Sequence, residues 1–341
     1  MAGTSRALHH LLPRPSACAP NATFVTLVAN ESYVAGAVCL RQSLRRVGCL
    51  CPLLLVVADP LPPAAMSALS GAFHDSRIVH LSSLRQRVDS FERLQYSSGR
   101  RLAALQSTRQ LGRAAGWARR THQKLLLFAI EGYRKAAFLD IDMLIVQNVD
   151  ALLDQSPFAA VAGLPYTTKS FNSGVFVFEP SLQVAAALNS LSLRATFGAA
   201  RVPKGLEISG RAASRASPTA SPVRIRGAGE RFELSDQSIL NHHFKGTWRP
   251  LPYGYNLGVK TRMANKKLWR TIDVAVVHFV HRPKPWEATL AVEGSPMSLL
   301  VRKMGIEALT NAWRYHCLGA PRGNRTLSTQ DEALYAAQPQ G

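Results

Sequence analysis

The sequence predicts an α/β chain built on a mostly parallel β-sheet flanked by helices, and three observations carry that prediction. An apolar run at residues 24–29, FVTLVA, a helical stretch, and a second apolar run at 53–58, LLLVVA, follow one another at the spacing of a βαβ unit, which implies parallel pairing. A third apolar run, Ala136 to Leu139, stops at Asp140 and Asp142, with only Ile141 between them. Such a run reads as a buried strand of a parallel sheet, and ligands in open α/β sheets sit beyond the carboxyl ends of these strands. Finally, 47% of the 341 residues are hydrophobic and 18% charged, enough to bury one large α/β core or two small ones.

The elements are taken in order. Residues 1–20 are expected to be flexible: Leu11 and Leu12 are cut off by Pro13 and Pro15, so no signal-peptide core forms, while Arg6 and Arg14 without any acid give a weak transit-peptide character. After the first strand, Asn30 and Ser32 offer N-cap oxygens to a helix over Tyr33–Val47, with Val34, Val38, Cys39 and Leu44 at helical spacing and Gly48 as its stop. The second strand, Leu53–Ala58, ends at Pro60, Pro62 and Pro63; a helix over Ala64–Phe73 and a short strand at Ile78–Leu81 continue the alternation. Residues 82–120 hold Arg85, Arg87, Arg93, Arg100, Arg101, Arg109, Arg113, Arg119 and Arg120 against only Asp89 and Glu92. This is a surface excursion, either a solvated face or a basic lip over an anion-binding cleft. A helix over Trp117–Gly132 then turns Leu125, Phe128 and Ala129 inward and delivers Lys124.

Beyond the aspartates, Met143–Val146 is a second apolar run, NVDALLDQ starts a helical turn and AAVAG is a strand. In FNSGVFVFEP, Phe171–Pro180, a polar turn of Asn172, Ser173 and Gly174 precedes an apolar strand, and the glycine permits close approach of the backbone to a ligand. Residues 197–231, rich in Ala, Ser, Arg, Gly and Pro without hydrophobic period, read as a disordered insertion or long loop. Asp236 and Gln237 open a helix with Ile239 and Leu240 in its interior, and Val274–Val280 is a strand ending near His278 and followed by HRPKPW. The ordered body thus covers 21–318, with a flexible tail at 319–341.

The formal charge of +20 favours anionic partners such as nucleotides, phosphate groups, nucleic acid or an anionic membrane surface. The five cysteines, Cys18, Cys39, Cys49, Cys51 and Cys317, fit no zinc spacing; Cys39 reads as core, Cys49 and Cys51 are too close for an ordinary disulfide, and a reducing compartment is expected. No run is long and apolar enough for a membrane span. Sequons at Asn21, Asn30 and Asn324 matter only for a secreted chain.

Two carboxylates with one residue between them can hold a hard divalent cation, Mg²⁺ or Mn²⁺, which usually also takes phosphate oxygens from a substrate. The simpler alternative is that they cap a turn, but side by side they repel unless a cation or hydrogen bonds offset them. Two other functions compete. A haloacid-dehalogenase-type phosphatase also places D-x-D after an apolar strand, usually near the start of the fold, whereas here a βαβ unit precedes it. A non-catalytic anion- or nucleic-acid-binding protein explains the charge but leaves the aspartate pair without a role.

Five pieces in order, FVTLVANESYVAGA, FLDIDMLIVQNVD, FNSGVFVF, SDQSILN and VVHF followed by KPW, resemble the glycogenin-like family-8 retaining glycosyltransferases over about residues 22–290. The resemblance implies a GT-A nucleotide-diphospho-sugar transferase fold, a Rossmann-like, mostly parallel sheet flanked by helices. It implies Mn²⁺, with Mg²⁺ as alternative, on Asp140, Asp142 and His278, and a UDP-sugar donor. Leu27, Ala29, Asn30 and Tyr33 are then expected to form the base and ribose pocket, with Tyr33 stacking on uracil. Lys124, Ile141, Ser173, Gly174 and His281 are further donor contacts, and Asn172, Glu233, Asp236 and Gln237 hold the sugar. Lys284 meets the diphosphate, and Asp236 lies near the transferring carbon; these two are the catalytic residues the resemblance implies.

The sequence departs from the family pattern where His281 replaces a frequent glycine and Glu233 a frequent aspartate. No tyrosine follows Tyr255 before Tyr315, so self-glucosylation in the glycogenin manner is not expected. The acceptor is instead a separate carbohydrate, lipid or protein hydroxyl. The expected location is cytoplasmic, or an organelle or secretory lumen if a leader operates. A homodimer is compatible, and no specific nucleic acid partner is expected.

Overall fold

A computed structural model describes residues 8–95, 122–163, 169–197, 235–259, 261, 266–280, 282–288 and 307–319. The insertion at 197–231, the tail beyond 319, most of the arginine-rich stretch, Glu233 and His281 thus fall wholly or almost wholly outside the described residues.

The central strands are apolar on both faces, and this dictates the layering. In β1 (Ala22–Val28), β2 (Leu53–Val57) and β4 (Lys135–Leu139), Phe24, Leu55 and Ala137 enter one core while Val25, Leu54 and Phe138 enter another. Successive side chains of a strand point to opposite faces, so strands of this kind must be covered on both sides. Helices α1 (Val34–Arg46) and α2 (Pro63–Ala72) cover the first face. Helix α3 (Leu81–Gln95), a 3-10 turn at Gln123–Ala129, helix α4 (Leu182–Phe197) and helix α5 (Asp236–His243) cover the second.

With β3 (Ile78–His80), β6 (Ala159–Ala162), β7 (Phe171–Phe178) and β8 (Arg249–Leu251), these strands form a seven-stranded sheet of order β3-β2-β1-β4-β7-β6-β8. Pairing is parallel except where β7 runs antiparallel to β4 and β6, so the mostly parallel sheet of the sequence reading is observed. A second sheet, ordered β5-β10-β9, holds β5 (Met143–Ile145), β9 (Leu257–Gly258) and β10 (Val276–His278). Its register sets His278 opposite Met143 on one side and Gly258 on the other. The histidine is thereby brought beside the residue that follows Asp142. Helices α6 (Lys266–Thr271), α7 (Pro285–Ala288) and α8 (Glu307–Leu318) complete the α-helices among the described residues.

Four sequence expectations change. Within the helix expected over Trp117–Gly132, residues 117–121 lie outside the described residues and Gln123–Ala129 is a 3-10 turn. Leu125 through Ala129 are all buried, and their carbonyls serve outside donors: Phe128 accepts from Ser181 N and Ala129 from Arg87 Nε. Asn172, Ser173 and Gly174 form no turn; they lie within β7, where pairing with β6 jumps from Phe176 to Asn172. They are polar because here the strand, although buried, bonds to the start of α5: Asn172 to Gln237 and Ser173 to Asp236. The cysteines are mostly paired, Cys18 with Cys51 and Cys39 with Cys317, each pair with Cα atoms 4.9 Å apart, and Cys49 is free. Sequence separations of 33 and 278 leave no local trace of either pair.

The N-terminal segment expected to be flexible is laid down as a strap from Leu8 onward. Leu8 O and His9 O accept from Tyr253 N and Asp273 N, each at 2.9 Å, and Leu12 N donates to the Tyr255 hydroxyl at 3.1 Å. Arg14 reaches Gly48 O at 2.8 Å, and Cys18 anchors the far end.

Candidate active site

The site grows from the carboxyl end of β4. Asp140 N donates to Gly174 O at 2.9 Å, which lays the polar stretch of β7 alongside the aspartates. The ligating atoms of Asp140, Asp142 and His278 all lie within 4.8 Å of one another. Asp142 and His278 are buried, and His278 Nε2 stands 3.1 Å from Asp142 Oδ1 and 4.0 Å from Asp140 Oδ2.

Gly174 makes this approach possible: a Cβ there would lie 2.4 Å from His278 Cε1. The sequence reading reserved that space for a ligand, and an imidazole takes it. Gly36 does the same for the turn between the aspartates, since its Cβ would meet Ile141 O and the Trp286 ring at 2.8 Å.

Two lysines close the site. Lys124 Nζ donates to Asp140 Oδ2 and Ser173 O, each at 3.2 Å, pairs with Asp236 Oδ2 at 3.1 Å, and stands 4.6 Å from the Phe138 ring centroid. Lys284 Nζ, also buried, donates to Asp142 Oδ2 at 2.5 Å and to Phe279 O at 2.7 Å. Asp236 opens α5 behind its Ser235 cap and accepts from Ser173 Oγ at 3.2 Å. Gln237 Oε1 accepts from Asn172 Nδ2 and Ser173 N, each at 3.1 Å.

These charges separate the carboxylates. Burial pushes the Asp140 carboxyl up, and Lys124 offsets this only in part while Asp142 adds to it. Asp142 is also penalised by burial, but the His278 and Lys284 contacts outweigh it and hold its carboxyl below the usual range. Burial likewise opposes Asp236, which Lys124 brings below its ordinary value. Burial alone would lower Lys124, yet Asp140 and Asp236 raise it above the lysine range.

Asp142 Oδ1 is buried, receives no hydrogen bond, and faces His278 Nε2. Two atoms with lone pairs at that separation need a proton or a metal ion between them. Two carboxylate oxygens and one imidazole nitrogen suit Mn²⁺, so the residues fit.

The expected base and ribose residues occupy the carboxyl end of β1, the neighbour of β4. Leu27 and Tyr33 are half-buried, and Ala29 and Asn30 exposed. Asn30 Oδ1 accepts from Ser32 N at 3.1 Å, but it caps a 3-10 turn at Glu31–Tyr33 and not the helix expected, whose N-cap is Tyr33 without a side-chain bond. Tyr33 meets the Trp286 ring edge-on at 5.8 Å, which joins the start of α1 to the turn that carries Lys284. Sequence reasoning missed Asn256, Gly36 and Trp286 as parts of the site. Asn256 had no role in the sequence reading; it lies two residues before Gly258, the β9 partner of His278.

A sheet of this order, with an acidic pair beyond β4 and an antiparallel β7 beside it, defines the class: a GT-A glycosyltransferase fold. Residues 219–289 match the family model "Glycosyl transferase family 8". The chain is 29% identical over 271 residues to glycogenin-2 of Homo sapiens and 26% identical over 274 residues to glycogenin-1 of Mus musculus. The first alignment covers 77% of this chain and 43% of the relative, the second 78% and 66%. The chain therefore spans less than half of the first relative's length and about two thirds of the second's. Among solved structures it is similar to the glycosyltransferase GlyE of Streptococcus pneumoniae TIGR4, with a TM-score of 0.47 and 13% identity over 89% of this chain and 66% of that one. The family-model match and these relatives together support a glycogenin-like family-8 glycosyltransferase.

Proposed function

We propose that the chain is a Mn²⁺-dependent transferase that moves a hexosyl-type sugar from a UDP-sugar to a hydroxyl of a separate acceptor, with retention of anomeric configuration. The observation that carries this reading is the convergence of Asp140, Asp142 and His278 between Lys124 and the buried Lys284. When bound, the cation supplies Lewis-acid neutralisation of a diphosphate leaving group.

The chain's own residues account for the remainder. Lys284 is fixed by two hydrogen bonds and stabilises the departing phosphate oxygen; a preorganised charge in a water-poor site needs no reorganisation as charge develops. Lys124 and Ser173 hold Asp236 in its ionised form, facing the electron-poor anomeric carbon. Asn172 and Gln237 orient the sugar, Tyr33 the uracil.

A separate acceptor is supported by the burial of Tyr253 and Tyr255. Tyr253 is 8% and Tyr255 0% exposed, and the Tyr255 hydroxyl already accepts from Leu12 N. Neither offers a phenol to an incoming sugar. The two disulfides favour an organelle or secretory lumen over the cytoplasm. No helix among the described residues is long and apolar enough to cross a membrane.

The test is a panel of UDP-sugars incubated with Mn²⁺ and followed by UDP release. Slow hydrolysis that accelerates with added acceptor and stops in EDTA is expected, and intact mass should show no hexose on the chain. Equal release with and without EDTA, or a hexose ladder on any tyrosine, overturns the reading.

A further inference from the structure

A chain of three side-chain amides runs from the helix that carries Asp236 to the imidazole of His278. His278 Nδ1 lies 2.7 Å from Asn256 Oδ1, Asn256 Nδ2 lies 2.8 Å from Asn172 Oδ1, and Asn172 Nδ2 lies 3.1 Å from Gln237 Oε1. Asn256 is buried at 6% exposure and His278 at 4%, so water does not substitute for these partners.

The sense of this chain follows from two backbone amides, which can only donate. Gly174 N meets the Asn172 amide oxygen at 2.9 Å, and Ser173 N meets that of Gln237 at 3.1 Å. Each therefore identifies the atom it touches as oxygen. Asn172 must then receive a hydrogen from Asn256 through Nδ2. Asn256 must present its oxygen to the ring, and His278 must donate from Nδ1. In a neutral imidazole that leaves Nε2 as a lone pair, and Nε2 is the atom that faces Asp140 and Asp142.

We infer that Asn256 is a positioning residue that holds the proton of His278 on Nδ1 and turns Nε2 toward the two aspartates, its own orientation being set through Asn172 by the backbone amide of Gly174. The inference rests on the metal-dependent reading above for its catalytic meaning, but not for its geometry. It also makes β7 the common support of two functions. Asn172 links Gln237 to Asn256, so the residue expected to hold the donor sugar and the imidazole expected to hold the cation share one hydrogen-bonded frame. Partners behind a metal-binding histidine typically change metal affinity about tenfold to a hundredfold when removed.

Two measurements decide it. In metal-free wild-type protein labelled with ¹⁵N-histidine, the Nδ1 of His278 should carry a proton. A ring bare at Nδ1 and protonated at Nε2 overturns the inference, whatever the enzyme does. Asn256→Leu, which keeps the buried volume, should retain a cooperative unfolding transition while its Mn²⁺ affinity by titration falls about tenfold to a hundredfold; unchanged affinity in the folded variant overturns the inference. Should the variant fail to fold, the wild-type resonance still decides. Should wild-type protein release no UDP from any UDP-sugar while both measurements come out as expected, the transferase reading falls and the amide chain stands.

Discussion

Asp140 and Asp142 stand one residue apart and occupy unlike surroundings. The Asp140 side chain is 30% exposed and pairs with Lys124, whereas Asp142 is 9% exposed and pairs with both His278 and Lys284. Either change to asparagine should abolish UDP release. Their stabilities should diverge, because removing one partner of a buried pair leaves the other uncompensated. Asp142→Asn should lose about 3–5 kcal/mol by urea unfolding and Asp140→Asn about 1 kcal/mol or less. Equal losses would show that Lys284 is not held by Asp142. At this scale the sequence was informative for charged groups: D-x-D, Lys124, His278, Lys284 and Asp236 all meet at one site. It was silent on Asn256 and Gly36, whose roles arise from backbones brought together by pairing between distant strands.

At the scale of elements, β7 serves both the core and the site. Its carboxyl half supplies Phe176 and Phe178 to an aromatic cluster in which Phe128 stacks on Phe176 at 6.1 Å, Phe158 on Phe176 at 5.4 Å and Phe158 on Phe244 at 3.8 Å. Phe176→Ala should cost about 3–5 kcal/mol without changing Mn²⁺ affinity in the folded fraction. Gly174→Ala should behave oppositely: the added methyl collides with the His278 ring and should lower Mn²⁺ affinity at least about tenfold, with about 1–3 kcal/mol lost from the fold. Affinity titrations paired with denaturant melts separate the two. The strand pattern was readable because central strands are apolar on both faces. The polar start of β7 resembled a turn, since composition alone does not distinguish a chain that reverses from a buried strand whose polar side chains bond to a neighbouring helix.

Across the whole molecule, burial sets the pH range of stability. It pushes the Cys49 thiol and the Tyr255 hydroxyl up to about 12, so the folded chain prefers both groups neutral. Their contribution is intact below their ordinary values of 9.0 and 10.0 and disappears as pH climbs toward about 12. His243 has the opposite sign: burial, with His242 adding, lowers it from 6.5 to about 4. Its contribution is present above 6.5 and declines as pH falls toward about 4. Unfolding free energies measured across this range should be flat in the middle and fall at both ends; a rise above pH 10 would contradict the burial of Tyr255.

The Cys18–Cys51 bridge has a consequence for proteolysis. A protease that cuts after residue 20 would sever the chain without freeing the fragment, because Cys18 tethers it covalently while its backbone stays bonded along Tyr253 and Asp273. Such a nicked molecule would run as one species until reduced and then separate into two. A cut between Cys18 and Cys51 should therefore be sought on reducing gels, since non-reducing ones would hide it.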